Sequence, residues 1–292
     1  MKKSDLVLSL PQRLLFLGCV FVICYLITAG LMYVLTRLLS GNALGAVRIA
    51  AVLQDVLMFI IPALVTALLV TRRPAQLLCL LRTPSLGAIL GVGALLLVSI
   101  PVQEAVIYWN ANISLPDSLH RLEEMARHYE DAAGEAMRML MQGTSAGTLV
   151  VNILVVGIFA GFSEELLFRG CFQRLLTTGG VNAHVAVWTV AFFFSAMHFQ
   201  LFGFVPRLLL GAYFGYLLLW TRSLWVPVTA HVLNNILYTV TAWYGVRRHG
   251  IEALDASPEL WSPALTVASA VVTAVILWLM WRRRAEAHQE TH

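Results

Sequence analysis

Three short stretches in the second half of the chain hold the residue types that acid–base chemistry needs, each inside an apolar run. The first is Ser163-Glu164-Glu165-Leu166-Leu167-Phe168-Arg169. Glu165 and Arg169 are four apart, one helical turn, and can pair on a single face. Glu164 points about 100° away and has no partner on its own helix. An unpaired carboxylate in apolar surroundings either takes up a proton or serves as a general base. The second stretch is Phe194-Ser195-Ala196-Met197-His198, where a histidine alone reads as readily as a hydrogen-bonded core residue. The third runs from His231 to Asn234 and Asn235. His231 and Asn235 share a helical face and can donate to one oxygen, whereas Asn234 points elsewhere. Peptide hydrolysis needs an activated water and donors aimed at the developing negative oxygen, each donor contributing about 2.7–4 kcal/mol. A serine or cysteine nucleophile fits less well, because Ser163 and Ser195 lie in no nucleophile elbow and Cys171 is a lone thiol. Glu164, His198 and His231 are a possible zinc-ligand trio with water as fourth ligand. HExxH is absent, however, and separations of 34 and 33 residues leave any metal site to tertiary structure.

Crossing a hydrocarbon core of about 30 Å takes about 20 apolar helical residues. Eight segments approach that length: 14–36, 49–71, 86–109, 147–175, 184–202, 205–221, 225–245 and 264–281. Their apolar runs are continuous, without the alternation of a membrane strand, so the expected fold is all-α and polytopic. The polar stretches above fall on the fourth, fifth and seventh segments. Counted from the segment ends, Glu164 and His231 fall in the inner half of the bilayer, with His198 nearer the midplane. Asp55, Gln103 and Glu104 lie near the outer ends of their segments, within reach of headgroups or water, and read as structural. Gly157-x-x-x-Gly161 and Gly211-x-x-x-Gly215 read as helix-packing motifs. Between the third and fourth segments, Leu119, Leu122, Met125, Tyr129, Ala132, Ala136 and Leu140 recur at three- and four-residue steps. This insert, 110–146, is expected to be an amphipathic helix at the outer interface, started by Asp117 or Ser118, and either a cap on the bundle or a gate. Four regions follow: an N-terminal three-span region 1–109, the insert 110–146, a four-span core 147–245, and 246–292 with an outer loop, a last span and a basic tail.

Composition agrees. Of 292 residues, 59% are hydrophobic and 12% charged, against about 25% charged in soluble domains, which excludes an ordinary soluble enzyme and a disordered chain. The net charge of +4 comes from scattered basic residues rather than a continuous basic face, so no nucleic-acid partner is expected. Positive charge places Lys2, Lys3, Arg13, Arg72, Arg73, Arg82, Arg174, Arg222 and Arg282–Arg284 on the inner side, with both termini cytoplasmic. Cys19, Cys24, Cys79 and Cys171 all sit in apolar stretches and read as free thiols. The run from Leu14 to Tyr33 is too long for a signal-peptide core and reads as a retained span.

Taken in order, Glu-Glu-x-x-x-Arg, Phe-x-x-x-His and His-x-x-x-Asn resemble the CPBP family of intramembrane proteases. That family includes the type II CAAX prenyl endopeptidases and bacterial relatives linked to bacteriocin processing and self-immunity. The resemblance covers about 145–245 and implies an intramembrane endopeptidase acting on a membrane-associated peptide or protein. It implies that Glu164 and His198 activate a water and that His231 and Asn235 stabilise the oxyanion. Glu165, Arg169 and Phe194 then support the constellation. The family has long been labelled metalloprotease, and its prenyl-processing members favour a metal-free water, so no cofactor is assigned and zinc stays open. The resemblance also points to a bacterial inner membrane. Two other readings use the same residues: a secondary transporter or proton relay, and a non-catalytic immunity or scaffold protein of the same fold.

Overall fold

A computed structural model describes residues 6–38, 43–254 and 260–289, with side chains at 36, 43 and 283–289 undescribed. Lys2 and Lys3, expected on the inner face, lie outside those residues, as does 255–259 of the outer loop. The described backbone is helical throughout, apart from turns and a single isolated β-bridge between Leu6 and Thr71. Helix α1 spans Leu10–Leu38 and α2 is continuous over 43–70. Leu86–Ala111 forms α3, His120–Met141 α4, and 146–178 a continuous α5. Then come α6 (Ala183–Ala196), α7 (Phe204–Thr221), α8 (Trp225–His249) and α9 (Pro263–Gln289).

Among the described residues, six helices are long and apolar enough to cross a membrane, in α1, α2, α3, α5, α7 and α9. Only 17% of the apolar window of α1, and 6% of that of α9, is buried inside the protein. Val267, Val271, Trp278 and their neighbours on α9 are exposed, and only hydrocarbon can solvate such a surface well. The protein is therefore a polytopic all-α membrane protein. Two of the eight expected spans depart from the expectation. The fifth ends at Ala196 instead of continuing to 202, because His198-Phe199-Gln200 breaks away after it, and its 14 residues reach only about 21 Å. The seventh forms the long helix α8, yet its buried His231 and neighbouring Asn234 and Asn235 leave it short of the apolarity of the other six.

Local chemistry explains the element boundaries. Ser85 caps α3 by accepting from the Ala88 amide, Ser145 caps α5 through Thr148, and Asn182 caps α6 through His184 and Val185. The amphipathic helix is not started by Asp117 or Ser118. They form a single 3-10 turn, Asp117–Leu119, and no side chain caps His120. Instead the Glu123 carboxylate reaches back to accept from the Leu115 amide at 3.0 Å. Pro101 removes an amide inside α3. There the Ser269 hydroxyl of α9 donates to Val98 O at 2.6 Å and accepts from the Val102 amide at 3.4 Å, joining the two helices at the break.

Two long helices carry wide turns. In α2 the stretch Val56–Ile60 is π-helical, and in α5 the stretches Ile153–Phe159 and Leu166–Gln173 are π-helical. Such turns leave carbonyls without their usual i+4 donors and gather at functional sites. The polar residues described next lie on or beside all three.

Candidate active site

The two glycines of the first packing motif set the stage. A side chain at Gly157 would meet Ile236 at 3.0 Å, and one at Gly161 would stand 3.2 Å from the Val232 amide nitrogen. Glycine at both positions lets α8 press against α5. One turn below on the same face, Glu165 meets His231: its Oε1 accepts from His231 Nδ1 at 2.9 Å. The same oxygen accepts from Arg169 Nη1 at 2.7 Å, with both side chains wholly buried. Arg169 Nη2 donates to Gly211 O on α7 at 2.7 Å. One turn on, Gln173 Nε2 donates to Gly215 O at 2.9 Å. The second glycine motif thus supplies close approach to α6 and also two carbonyl acceptors that stitch α7 to α5.

Glu164 differs from its neighbour. Its side chain is 16% exposed and its Oε2 lies 3.8 Å from His231 Nε2, and among the described residues it makes no hydrogen bond. His231 therefore stands between two carboxylates, bonded to Glu165 through Nδ1 and facing Glu164 with Nε2. Its ring stacks on Phe214 at 4.8 Å and meets the Phe194 edge at 5.9 Å. Phe194 also contacts the His198 ring at 5.3 Å and lies 4.5 Å under the Arg169 guanidinium carbon. One aromatic side chain accordingly spaces both imidazoles and the buried cation.

His198 lies beyond the C-terminal end of α6, half-buried. A carbonyl can only accept, so the 2.8 Å contact between His198 Nδ1 and Phe194 O fixes the proton on Nδ1 and leaves Nε2 bare in the neutral ring. Glu164 acts electrostatically on His198. The two were expected at different depths. Helix α5 continues to Thr178 rather than 175, so Glu164 stands fourteen residues before its C-terminal end, and His198 stands fifteen after the start of α6 at Ala183.

Asn235 is partly committed. Its Nδ2 donates to Val156 O at 3.1 Å, inside the first π turn of α5. There the Ala160 amide reaches back to Val155 O rather than to Val156 O, and the asparagine satisfies the carbonyl so released. Asn234 donates toward Asn235 Oδ1 at 3.4 Å.

Asp55 is the residue that sequence reasoning placed wrongly. It is 6% exposed, in the part of α2 that packs against α5 at 160–165. The helix around it begins near 43, not at 49, so Asp55 stands fifteen residues before Val70, well inside the helix rather than near its start. An ionisable residue centred in a 27-residue apolar helix was the signal available. Gln103 and Glu104 do have structural partners: Gln103 donates to Ser99 Oγ at 2.6 Å, and Glu104 accepts from the Trp261 indole.

The zinc-ligand trio does not assemble. Among the described residues, no three His, Cys, Asp or Glu side chains gather as a metal would require. Glu165, whose role was expected to be supporting, takes the imidazole nitrogen of His231 that faces inward. All four cysteines are free thiols, as expected.

Residues 146–237 match the family described as Rce1-like, type II CAAX prenyl endopeptidase Rce1-like. Among curated proteins, one from Bacillus subtilis (strain 168), described as uncharacterized protein YpbD, is 28% identical over 93 residues. That match covers 30% of this chain and 44% of the relative, so less than half of the relative's length is spanned. No solved structure gives a significant match to the chain. The matched segment opens with α5 and closes just after Asn235, enclosing every residue of the three motifs. Over residues 146–237 the chain is thus similar to the type II CAAX prenyl endopeptidases of the Rce1-like kind.

Proposed function

We propose that this protein is an intramembrane endopeptidase that hydrolyses a peptide bond of a membrane-associated peptide or protein with a water activated by Glu164. The observation that carries the reading is the division between two adjacent carboxylates. Glu165 is consumed by Arg169 and His231; Glu164 is partly exposed, unbonded and faces an imidazole.

Glu164 takes a proton from water as the oxygen attacks the carbonyl carbon, and returns it to the amide nitrogen as the C–N bond breaks. General-base assistance of this kind contributes about 10²–10⁴-fold. The bare Nε2 of His198 holds the water by accepting its second hydrogen. The oxyanion is met by His231 and Asn235. With Nδ1 given to Glu165, His231 donates from Nε2 only as an imidazolium. Asn235 has a second N–H beyond the one given to Val156. Asp55 adds a third carboxylate, on the part of α2 that packs against α5 at 160–165. We place the protein in a bacterial inner membrane with both termini cytoplasmic, and read 147–245 as the catalytic core, with 110–146 as its outer cap.

The test compares peptide termini across the membrane proteome of cells carrying wild-type protein or Glu164→Gln. Cleavage that appears with the wild type and falls at least a hundredfold in the variant, at equal abundance and helicity, supports the reading. New termini produced equally by both overturn it. So would proton-coupled uptake into liposomes that vanishes in Glu164→Gln while no peptide is cut.

A further inference from the structure

His198 is presented by the turn 197–203, which joins α6 to α7. The turn starts tightly. The His198 amide donates to Ser195 O at 3.2 Å and the Phe199 amide to Ala196 O at 3.0 Å, so the end of α6 narrows to three-residue bonds. Phe194 O, the carbonyl an α-helix offers to residue 198, is taken by the His198 ring. Phe199 then sits in the left-handed region, φ 54°. A bulky residue keeps that conformation only where its surroundings fix it. The orientation of the His198 ring therefore depends on what holds the turn.

Three side chains hold it. Ser195, wholly buried, donates its hydroxyl to Phe204 O at 2.6 Å. Arg207 donates to the backbone oxygen and the side-chain oxygen of Gln200, with its guanidinium so close over Gly203 that a Cβ there would come 2.6 Å from Nη1. The third is Asn110, near the end of α3 and 3% exposed. Its Oδ1 accepts from the Val205 amide at 2.7 Å and its Nδ2 donates to Leu201 O at 3.2 Å. Val205 lies in the first turn of α7, where amides lack partners within the helix, and the preceding Gly203 has no side chain to supply one. Asn110 thus caps α7 from another helix with one arm and pins the turn with the other. Ser195 and Arg207 belong to the two helices that flank the turn. Asn110 alone of the three ties it to α3, which also packs against α8, the helix of His231 and Asn235.

We propose that Asn110 is a positioning residue for the hydrolysis proposed above. It registers the turn that carries His198 against α3, and through α3 against α8, so that the ring keeps its Nδ1 proton on Phe194 O and its Nε2 bare. The use made of that orientation rests on the peptidase reading; the orientation itself stands on the contacts alone. Asn110 lies outside the segment 146–237 that matches the family, so the N-terminal region takes part in building the site rather than only enclosing it.

The full chain, isotope-labelled in its histidine ring nitrogens and purified in detergent, is compared by NMR as wild type, Asn110→Ala and Asn112→Ala. The His198 signals are assigned by their loss in His198→Gln. Asn112 is the matched control, because its Nδ2 donates to Tyr108 O at 2.7 Å within the same helix end. With the ring neutral, the wild type and Asn112→Ala are expected to carry the proton on Nδ1. In Asn110→Ala both ring signals are expected to move toward a mixture of the two tautomers. In cells, the cleavage that depends on Glu164 should fall about ten- to a hundredfold in Asn110→Ala at equal abundance, the scale of a misplacement of about 1 Å, and stay unchanged in Asn112→Ala. A changed tautomer without Glu164-dependent cleavage in any strain upholds the positioning and overturns the peptidase reading. His198 signals unchanged in folded Asn110→Ala overturn the positioning, as does a wild-type ring without its proton on Nδ1. Should Asn110→Ala fail to fold, Asn110→Asp keeps the volume and the acceptor for Val205 but, ionised, has no donor for Leu201 O. The same movement of the His198 signals is expected of it, and its absence overturns the positioning.

Discussion

Arg169 is the residue on which the site's order depends, since it has no exposure and ties Glu165 to the backbone of α7. Removing one member of a buried ion pair leaves the other charge without compensation, at a cost of about 3–5 kcal/mol. Arg169→Met is therefore expected to lower the thermal midpoint in detergent by several degrees and to free His231 from its Glu165 contact. Arg169→Met/Glu165→Leu, which removes both charges, should recover a large part of that loss. A single variant as stable as the wild type would show that the pair is not structural. The motif spacings made the Glu165–Arg169 pair legible from sequence, because one helical turn needs no tertiary information. The bond from Glu165 to His231 was not legible: 66 residues apart, they meet only because Gly157 and Gly161 let two helices touch. Asp55 was hidden for a different reason, a helix start misjudged by six residues that moved it from the interior of its helix to near its end.

At the scale of elements, α4 shows how a polar helix is held over the site. Its amphipathic period was readable, but its attachment rests on long-range contacts. Gln200, two residues past His198, donates to Glu130 Oε1 at 3.3 Å, and Arg127 lies 4.3 Å over the Phe202 ring. Leu122, Met125 and Tyr129 stay exposed, as does Leu119, whereas Leu140 is buried, so the helix is fastened through its polar side and the C-terminal end of its apolar stripe. Two carboxylates make that attachment depend on pH in opposite senses. The Glu123 carboxyl is held below the usual range by its hydrogen bond from Arg127 and by the Leu115 amide; its contribution is present above the ordinary carboxylate pKa and is lost on acidification. Burial pushes the Glu130 carboxyl up, opposed by Arg207, the Phe202 amide and Arg127 and assisted by Asp131. Its contribution is present below the ordinary carboxylate pKa and is lost as pH rises through the folded value. Amide exchange across 120–141, corrected for intrinsic rates, should thus quicken as pH rises above the carboxylate range, and Glu130→Gln should flatten that rise. A variant that keeps the full pH dependence would remove Glu130 from the latch.

For the whole molecule, the number of crossings decides on which side each end of the chain lies. Six helices among the described residues are long and apolar enough; α6 is short, and α8 is interrupted by polar residues at the site. Yet both are packed between neighbours: α6 against α7, and α8 against α3, α5 and α7. A helix in such a position need not be apolar all round, because protein rather than lipid satisfies its polar groups. This is why α6, too short, and α8, interrupted by His231, Asn234 and Asn235, fall outside the six apolar spans although both are packed inside the bundle. If both cross, the total is eight and the two termini share a side. The arginines of the turns at 72–73, 82, 174 and 222 then face the cytoplasm together with the C-terminal cluster. Fusing a fluorescent protein that matures only in the cytoplasm, or a phosphatase active only outside it, to the C-terminus and to the loops at 80–83 and 222–224 tests this directly. Fluorescence without phosphatase activity is expected at all three positions, and phosphatase activity at 112–117. Phosphatase activity at the C-terminus alongside a fluorescent 80–83 loop would mean an odd number of crossings after α2. In that case α6 or α8 would enter and leave by the same face, and Glu164 and His198 would lose the common depth that the proposed chemistry requires.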